Sequence, residues 1–254
     1  MTQEPNATPA HDSQDLHGGS TAAVEVLAHI QEADTVVGLL AYAELAAQMR
    51  LAIDASRAPN ARFRMAQADL SAAAHRRMRV LISLLNERGT DGEAQVRAFN
   101  NAFDDYEQRT KAETWHERVL KGYVGHSVAV DFCRILIQAL PADIRERVDE
   151  SLSSSDETVV ASDILTHSAQ EDSVLASRLA LWGRRLVGEA LNQIQGLVLQ
   201  YPALASVLAQ VAAEQGVEVE GEGAEATGKL VTSWLFAQLT ADHARRMDRI
   251  GLAS

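Results

Sequence analysis

Apolar residues recur every three and four positions between residues 34 and 57, with Val37, Leu40, Ala47 and Leu51 on one stripe and Pro59 stopping the run. That spacing predicts a first helix. Asn60 is placed to cap a second, which runs to about Arg88 and ends at Gly89, with Phe63, Leu70, Ala74, Leu81 and Leu84 facing inward. A polar connection holding Gly89, Asp91 and Gly92, and a weakly patterned stretch around Phe99 and Phe103, lead to a third helix over about 113 to 139. Pro141 restarts the chain, Ser153 to Ser155 offer a break, and a fourth helix carries Val160, Ile164 and Leu165. Residues 172 to about 200 predict a longer amphipathic helix with Leu175, Leu179, Trp182 and Leu186 in register, closed by Tyr201 and Pro202. A last helix over about 229 to 250 turns Leu230, Trp234 and Leu239 inward.

Between the last two helices, five glutamates from Glu214 to Glu225 alternate with Gly and Val and meet no basic residue, which predicts an exposed acidic loop over about 214 to 225. The loop lacks the aspartate-rich pattern of a calcium site. At the other end, residues 1 to about 22 mix Pro, Asn, Asp, Ser and Gly with few large apolar groups, too few to offset the entropy of ordering. A disordered acidic tail over 1–29 and one helical domain over 30–252 are the expected organisation. Of the 254 residues 46% are hydrophobic but only 5% aromatic, so Ala and Leu carry the apolar content; this favours an all-α fold.

Charge narrows the function classes. The net charge of −12 repels nucleic acid at long range, so any RNA contact would need a local basic patch. Residues 1 to 49 hold no Lys or Arg, unlike export or transit signals, and charges at helical spacing break every apolar run short of a membrane span. A cytoplasmic protein with no membrane contact is expected. Cys133 is the single cysteine, sits in an apolar helical stretch, and reads as a small core residue.

Acidic residues sit where apolar ones are expected. Glu44 lies in the middle of the first stripe, between Leu40 and Ala47, so its carboxylate points toward the core. A buried carboxylate without a partner costs several kcal/mol, and it finds relief in protonation, a basic neighbour or a metal. Asp69 stands at a similar depth in the second helix, Glu117 and Asp131 mark the ends of an apolar face of the third, and Glu157 opens the fourth. One inward carboxylate from each of four helices, Glu44, Asp69, Glu117 and Glu157, is the arrangement dimetal carboxylate bundles use. Arg76, Arg77, Arg118 and Lys121 are near enough in sequence to satisfy the same acids without metal. Glu117 and Asp131 are separated by about 21 Å of helical rise and cannot serve one centre.

The chain resembles the bacterial ferritin-like proteins similar to tRNA-methylthio-isopentenyladenosine hydroxylase. The resemblance runs from about residue 30 to the C-terminus. It rests on the run Ala41 to Leu45, on Lys121 Gly122 Tyr123 Val124 Gly125, and above all on Arg178 to Leu186 continuing through Gly188 Glu189 Ala190 Leu191, with Leu239, Thr240, His243, Arg246 and Met247 near the end. It implies a ferritin-like four-helix bundle with two additional C-terminal helices, and a di-iron site of carboxylates and two histidines. Glu44 stands at the first ligand position and Glu117 at the acid of the third helix. Where the family places a Glu and a His on the second helix this chain has Asp69 and Ala72, and on the fourth the acid and His become Ser154 and Glu157. Both imidazoles are gone, which leaves an oxygen-rich set poorly suited to iron. His75 lies about 240° from Asp69 and does not replace the missing histidine, and His126 and His116 read as ordinary core or surface residues.

Two functions therefore stand at this point. The resemblance implies a non-haem di-iron hydroxylase acting on tRNA, with Arg184, Arg185, Arg245, Arg246 and Arg249 as the basic patch toward phosphates. The lost imidazoles imply a non-catalytic bundle that has given up its metal centre and uses its last two helices for homo-oligomer formation or a protein partner. Glu189 and His243 are expected to form a buried hydrogen-bonded pair that fixes the packing of those two helices.

Overall fold

The computed structural model describes the backbone of residues 18–153, 157–217 and 224–252, and the side chains of 28–152, 159–217 and 228–252. Every regular element among them is helical: α1 (Gly18–Arg57), α2 (Ala61–Glu87), α3 (Gly92–Ala98), α4 (Asp104–Arg109), α5 (Trp115–Leu136), α6 (Ala142–Ser153), α7 (Glu157–Glu171), α8 (Ser173–Gln200), α9 (Pro202–Glu214) and α10 (Ala224–Arg249), with a 3-10 turn at Ile137–Ala139. The all-α expectation holds over these residues. The tail expected over 1–29 lies outside them up to residue 17, and from Gly18 onward the backbone is already helical. The reason is local: Ala22, Ala23 and Leu27 favour helix, and no proline follows before Pro59.

α1 and α2 form the most extensive helix pair. Asn60 caps α2 as its sequence position implied, accepting the Phe63 N–H at 2.9 Å. Val36, Val37, Leu40 and Ala41 of α1 are fully buried, as are Leu81 and Leu85 of α2. Contrary to the expectation from charge spacing, residues 28–57 of α1 are long and apolar enough to cross a membrane; more than half of this apolar stretch is instead covered by the protein's own helices. Asp34 fixes one end of the pair, accepting hydrogen bonds from Arg88 Nε at 2.8 Å and from the Thr90 hydroxyl.

α5 is central. Val119, Leu120, Tyr123, Val124, Val128, Val130, Phe132, Cys133 and Leu136 are buried on all its faces, so it has no solvent side of the kind an ordinary amphipathic helix keeps. It packs on α1, α7, α8, α9 and α10. A small second core of Ala47, Leu51, Leu70 and Ala74 joins α1 to α2 and is closed by Val160 of α7, while α8 packs on α5, α7, α9 and α10.

Three details depart from the sequence expectations. Pro202 does not simply end α8: it occupies the first turn of α9, where its missing N–H costs nothing and its fixed φ suits a helix start. The chain turns by 107° there. In α10 the buried stripe is Val231, Leu235 and Leu239, with Leu230 40% exposed, because the helix sits about 100° out of the expected phase there. Of the acidic loop, residues 218–223 lie outside the described residues, and α10 is helical from Ala224.

α3 presses on α2 at Gly92, where an added Cβ would stand 2.7 Å from the Ile82 carbonyl oxygen, a backbone atom with no room to yield. Gly92→Ala is therefore expected to destabilise the fold by about 1–3 kcal/mol, read as a shifted urea midpoint at unchanged slope.

Candidate functional site: a buried ion cluster beside an apolar cavity

Helical phase turns Glu44 inward on the stripe of Leu40, Ala47 and Leu51, and its side chain is 0% exposed. α2 answers with Arg77, which shares the inward stripe of Leu70, Ala74 and Leu81. The guanidinium meets one carboxylate oxygen, with Nε donating to Oε2 at 2.9 Å and Nη2 2.8 Å away. A carboxylate removed from water needs such a counter-charge held in good geometry. The other oxygen, Oε1, has no hydrogen-bond partner and faces His126 Nε2 of α5 at 3.7 Å. Two turns further along α5, burial together with the charges of Glu44 and Asp131 pushes the Cys133 thiol up to about 12, so it is a neutral, unreactive group.

The remaining acids expected at a shared centre are elsewhere. Asp69 is exposed, because Leu70 takes the inward position and its neighbour is rotated by about 100°. Glu117 is the N3 residue of α5 and closes a capping box, accepting the backbone N–H of Thr114 at 3.0 Å and of Glu113 at 2.8 Å. Burial raises its pKa, but those backbone donors and Arg178 at 3.3 Å outweigh it and hold the carboxyl below its ordinary value. Glu157 opens α7, its side chain lies outside the described residues, and so does Ser154. Among the described residues no three His, Cys, Asp or Glu side chains are grouped to hold a metal ion. Nor do the groups at Glu44 fit a two-iron centre, since a guanidinium occupies the space beside Oε2 where a dication would be repelled.

The chain matches the ferritin-like domain family of actinomycetes over residues 30–211. It belongs to that family. No curated protein matches it. The ferritin-like fold is thereby established, and α9 is an element that the sequence pattern did not yield.

Beside the ion cluster, the ferritin-like bundle holds a cavity of about 500 Å³ between α1, α4, α5 and α8. Leu45, Phe103, Phe132, Ile194 and Leu197 give it apolar walls, and His126, whose Nε2 lies 3.7 Å from Glu44 Oε1, also lines it. A second space of about 170 Å³ adjoins it, the two sharing Arg50, Glu107, Arg118 and Lys121. These residues escaped the sequence reading as a group because they come from three helices. The one available signal was the Lys121 to Gly125 motif, whose glycines accept side chains from opposite helices: an added Cβ at Gly122 would lie 2.0 Å from Arg50 Nη1, and one at Gly125 2.7 Å from the Tyr106 hydroxyl.

Of the five arginines expected to form a basic patch, Arg185, Arg245 and Arg246 are engaged within the fold, and Arg184 and Arg249 are exposed. Arg246 bonds Asp131, Arg245 bonds Asp242, and Arg185 donates to the Arg109 carbonyl at 2.6 Å while lying over the Trp182 ring. The expected Glu189–His243 pair is replaced by other contacts: Glu189 meets Arg109 at 3.7 Å, and His243 keeps Nδ1 buried without a hydrogen-bond partner.

Arg77→Met is expected to cost about 3–5 kcal/mol by leaving Glu44 charged and alone, whereas Glu44→Leu combined with Arg77→Met should be near neutral or stabilising; urea melts of both separate the cases. Burial, and then the Arg246 charge, lower the His243 pKa from 6.5 to about 4. The unfolded chain thus takes up a proton below pH about 6.5 that the folded protein refuses until about 4, so stability falls as pH drops through that window. Melts at pH 7 and pH 5 should show a loss for the native protein and a smaller loss for His243→Gln.

Proposed function

We propose that this ferritin-like protein works by binding, as a non-catalytic bundle, and not as a dimetal hydroxylase. The observation that carries the reading is the Arg77 guanidinium on Glu44, at 2.8 Å and 2.9 Å. Glu44 is the acid of the expected ligand set that is fully buried, and it has a fixed organic cation where the alternative requires iron. The exposure of Asp69 and the capping role of Glu117 support the same conclusion. So does the cavity, which offers a preformed apolar volume in the size range of small-molecule sites.

The hydroxylase reading draws its support from the likeness of α8 and of the Ala41 to Leu45 run, and from His126 standing 3.7 Å from Glu44. It requires Arg77 to swing away and two irons to enter. Its tRNA partner would have to meet a chain of net charge −12 through a patch of five arginines, three of which are already bonded to Asp131, Asp242 and the Arg109 carbonyl.

Metal analysis of the protein purified from iron-supplemented cells, combined with its absorption spectrum, separates the two. The binding reading expects iron far below one atom per chain and no oxo-bridge band, before and after anaerobic ferrous reconstitution. About two irons per chain with such a band, lost in Glu44→Ala, would establish the hydroxylase.

A further inference from the structure

The cavity is long for its volume. Its lining runs on α1 from Leu39 to Ile53 and on α5 from Arg118 to Cys133, each stretch about 20 Å by helical rise. The contacts of Asp54 with Arg118 and of Glu44 with His126 set the two stretches side by side in opposite directions. A volume of about 500 Å³ spread over that length leaves a mean cross-section of about 25 Å², room for one extended hydrocarbon chain. Ala43, Ala46, Ala47, Gly125 and Ala129 keep the slot open, since larger side chains there would project into it.

The two ends of the slot differ. Leu39, Val128, Phe132 and the neutral Cys133 thiol make one end an apolar chamber. At the other, polar mouth, Arg118 is held by Asp54 at 2.6 Å and 2.7 Å, Arg50 lies 3.5 Å from the same carboxylate, and Lys121 meets Glu107 at 2.7 Å. These charges are matched within the fold, while Lys111 beside the mouth and Asp104 on the cavity wall are exposed to water. A carboxylate brought to the mouth would face Asp54 and Glu107, and an ammonium group would face Arg50, Arg118 and Lys121; either has to break an existing ion pair or stand against a like charge. An uncharged head displaces neither pair. Glu107 is 56% exposed, so water reaches this end and a hydroxyl placed there stays hydrated, while the chain sheds its water against Val128 and Phe132.

We propose that the cavity binds an uncharged, unbranched aliphatic molecule of the fatty-alcohol class, its chain laid between α1 and α5 toward Phe132 and its hydroxyl at the Glu107–Lys121 mouth. The proposal deepens the binding reading and rests on it, but the two fail separately: iron content tests that reading, whereas ligand titration tests this one.

The test is calorimetric titration of the full chain at neutral pH with hexanol, octanol and decanol, and then with decanoate, decyltrimethylammonium and 1-adamantanol, all below micelle-forming concentration. The three linear alcohols should bind at one site per chain, with affinity rising about fourfold for each added methylene. Decanoate and decyltrimethylammonium should each bind at least about tenfold more weakly than decanol, and so should 1-adamantanol, which has the carbon count of decanol in a compact cage. Ala129→Phe, which puts a ring into the slot from α5, should abolish decanol binding, and Ala46→Phe does the same from α1 should the first variant lose its cooperative melt. If both variants lose it, the ligand series on the native protein decides alone. No saturable binding, affinity independent of chain length, a charged amphiphile or 1-adamantanol binding as tightly as decanol, or decanol binding unchanged in a folded filling variant would each overturn the proposal.

Discussion

A carboxylate that leaves water completely must be protonated, coordinated or paired, and Glu44 is placed by the phase of α1 where none of its neighbours on that helix can help. Its partner has to come across the bundle. Arg77 does so from α2 and approaches a single oxygen with two nitrogens, which fixes the axial position of α2 against α1 more narrowly than interchangeable Leu and Ala contacts can. Asp34 with Arg88 and Thr90 sets the same register at the other end of the pair. Pairs of this kind contribute little net stability over apolar residues of equal volume; what they contribute is intolerance of other alignments, because a shift of one turn strands a charge in the core.

The second organising element is α5, buried around its whole circumference. His126 and Cys133 line the cavity that α5 shares with α1, α4 and α8, and Tyr123 donates to the Arg246 carbonyl of α10 at 3.4 Å. A helix so enclosed has few ways to admit long polar side chains. Gly122 and Gly125 provide them, by omitting the Cβ atoms that would otherwise collide with Arg50 and Tyr106. The polar mouth and the apolar chamber are therefore both consequences of how closely α1 and α4 approach α5.

Membership of a ferritin-like family fixes the scaffold and leaves the chemistry to the side chains that face its interior. Here those side chains divide into a neutralised cluster, Glu44 with Arg77 and His126, and a cavity whose polar groups lie at its mouth. His126 belongs to both, lining the cavity and lying 3.7 Å from the Glu44 carboxylate.

Helices were legible from sequence because the 3.6-residue period is a local property: the stripe of Val37, Leu40, Ala47 and Leu51, the Asn60 cap and the Pro59 stop each depend on residues a few positions apart. The same locality located Glu44 in the core and named Arg77 among the cations able to answer it. It failed where one residue of phase decides between core and solvent, as at Asp69 beside Leu70 and at Leu230 beside Val231, and where a proline that can end one helix also begins the next, as at Pro202. Which partner each acid takes was beyond sequence altogether. Arg77 stands 33 positions from Glu44, Arg118 stands 64 from Asp54 and Arg246 stands 115 from Asp131, and only the packing of whole helices brings those charges within hydrogen-bonding distance. Period and propensity act along the chain and so determined the elements; desolvation and charge pairing act through space, and the tertiary structure alone decided the site.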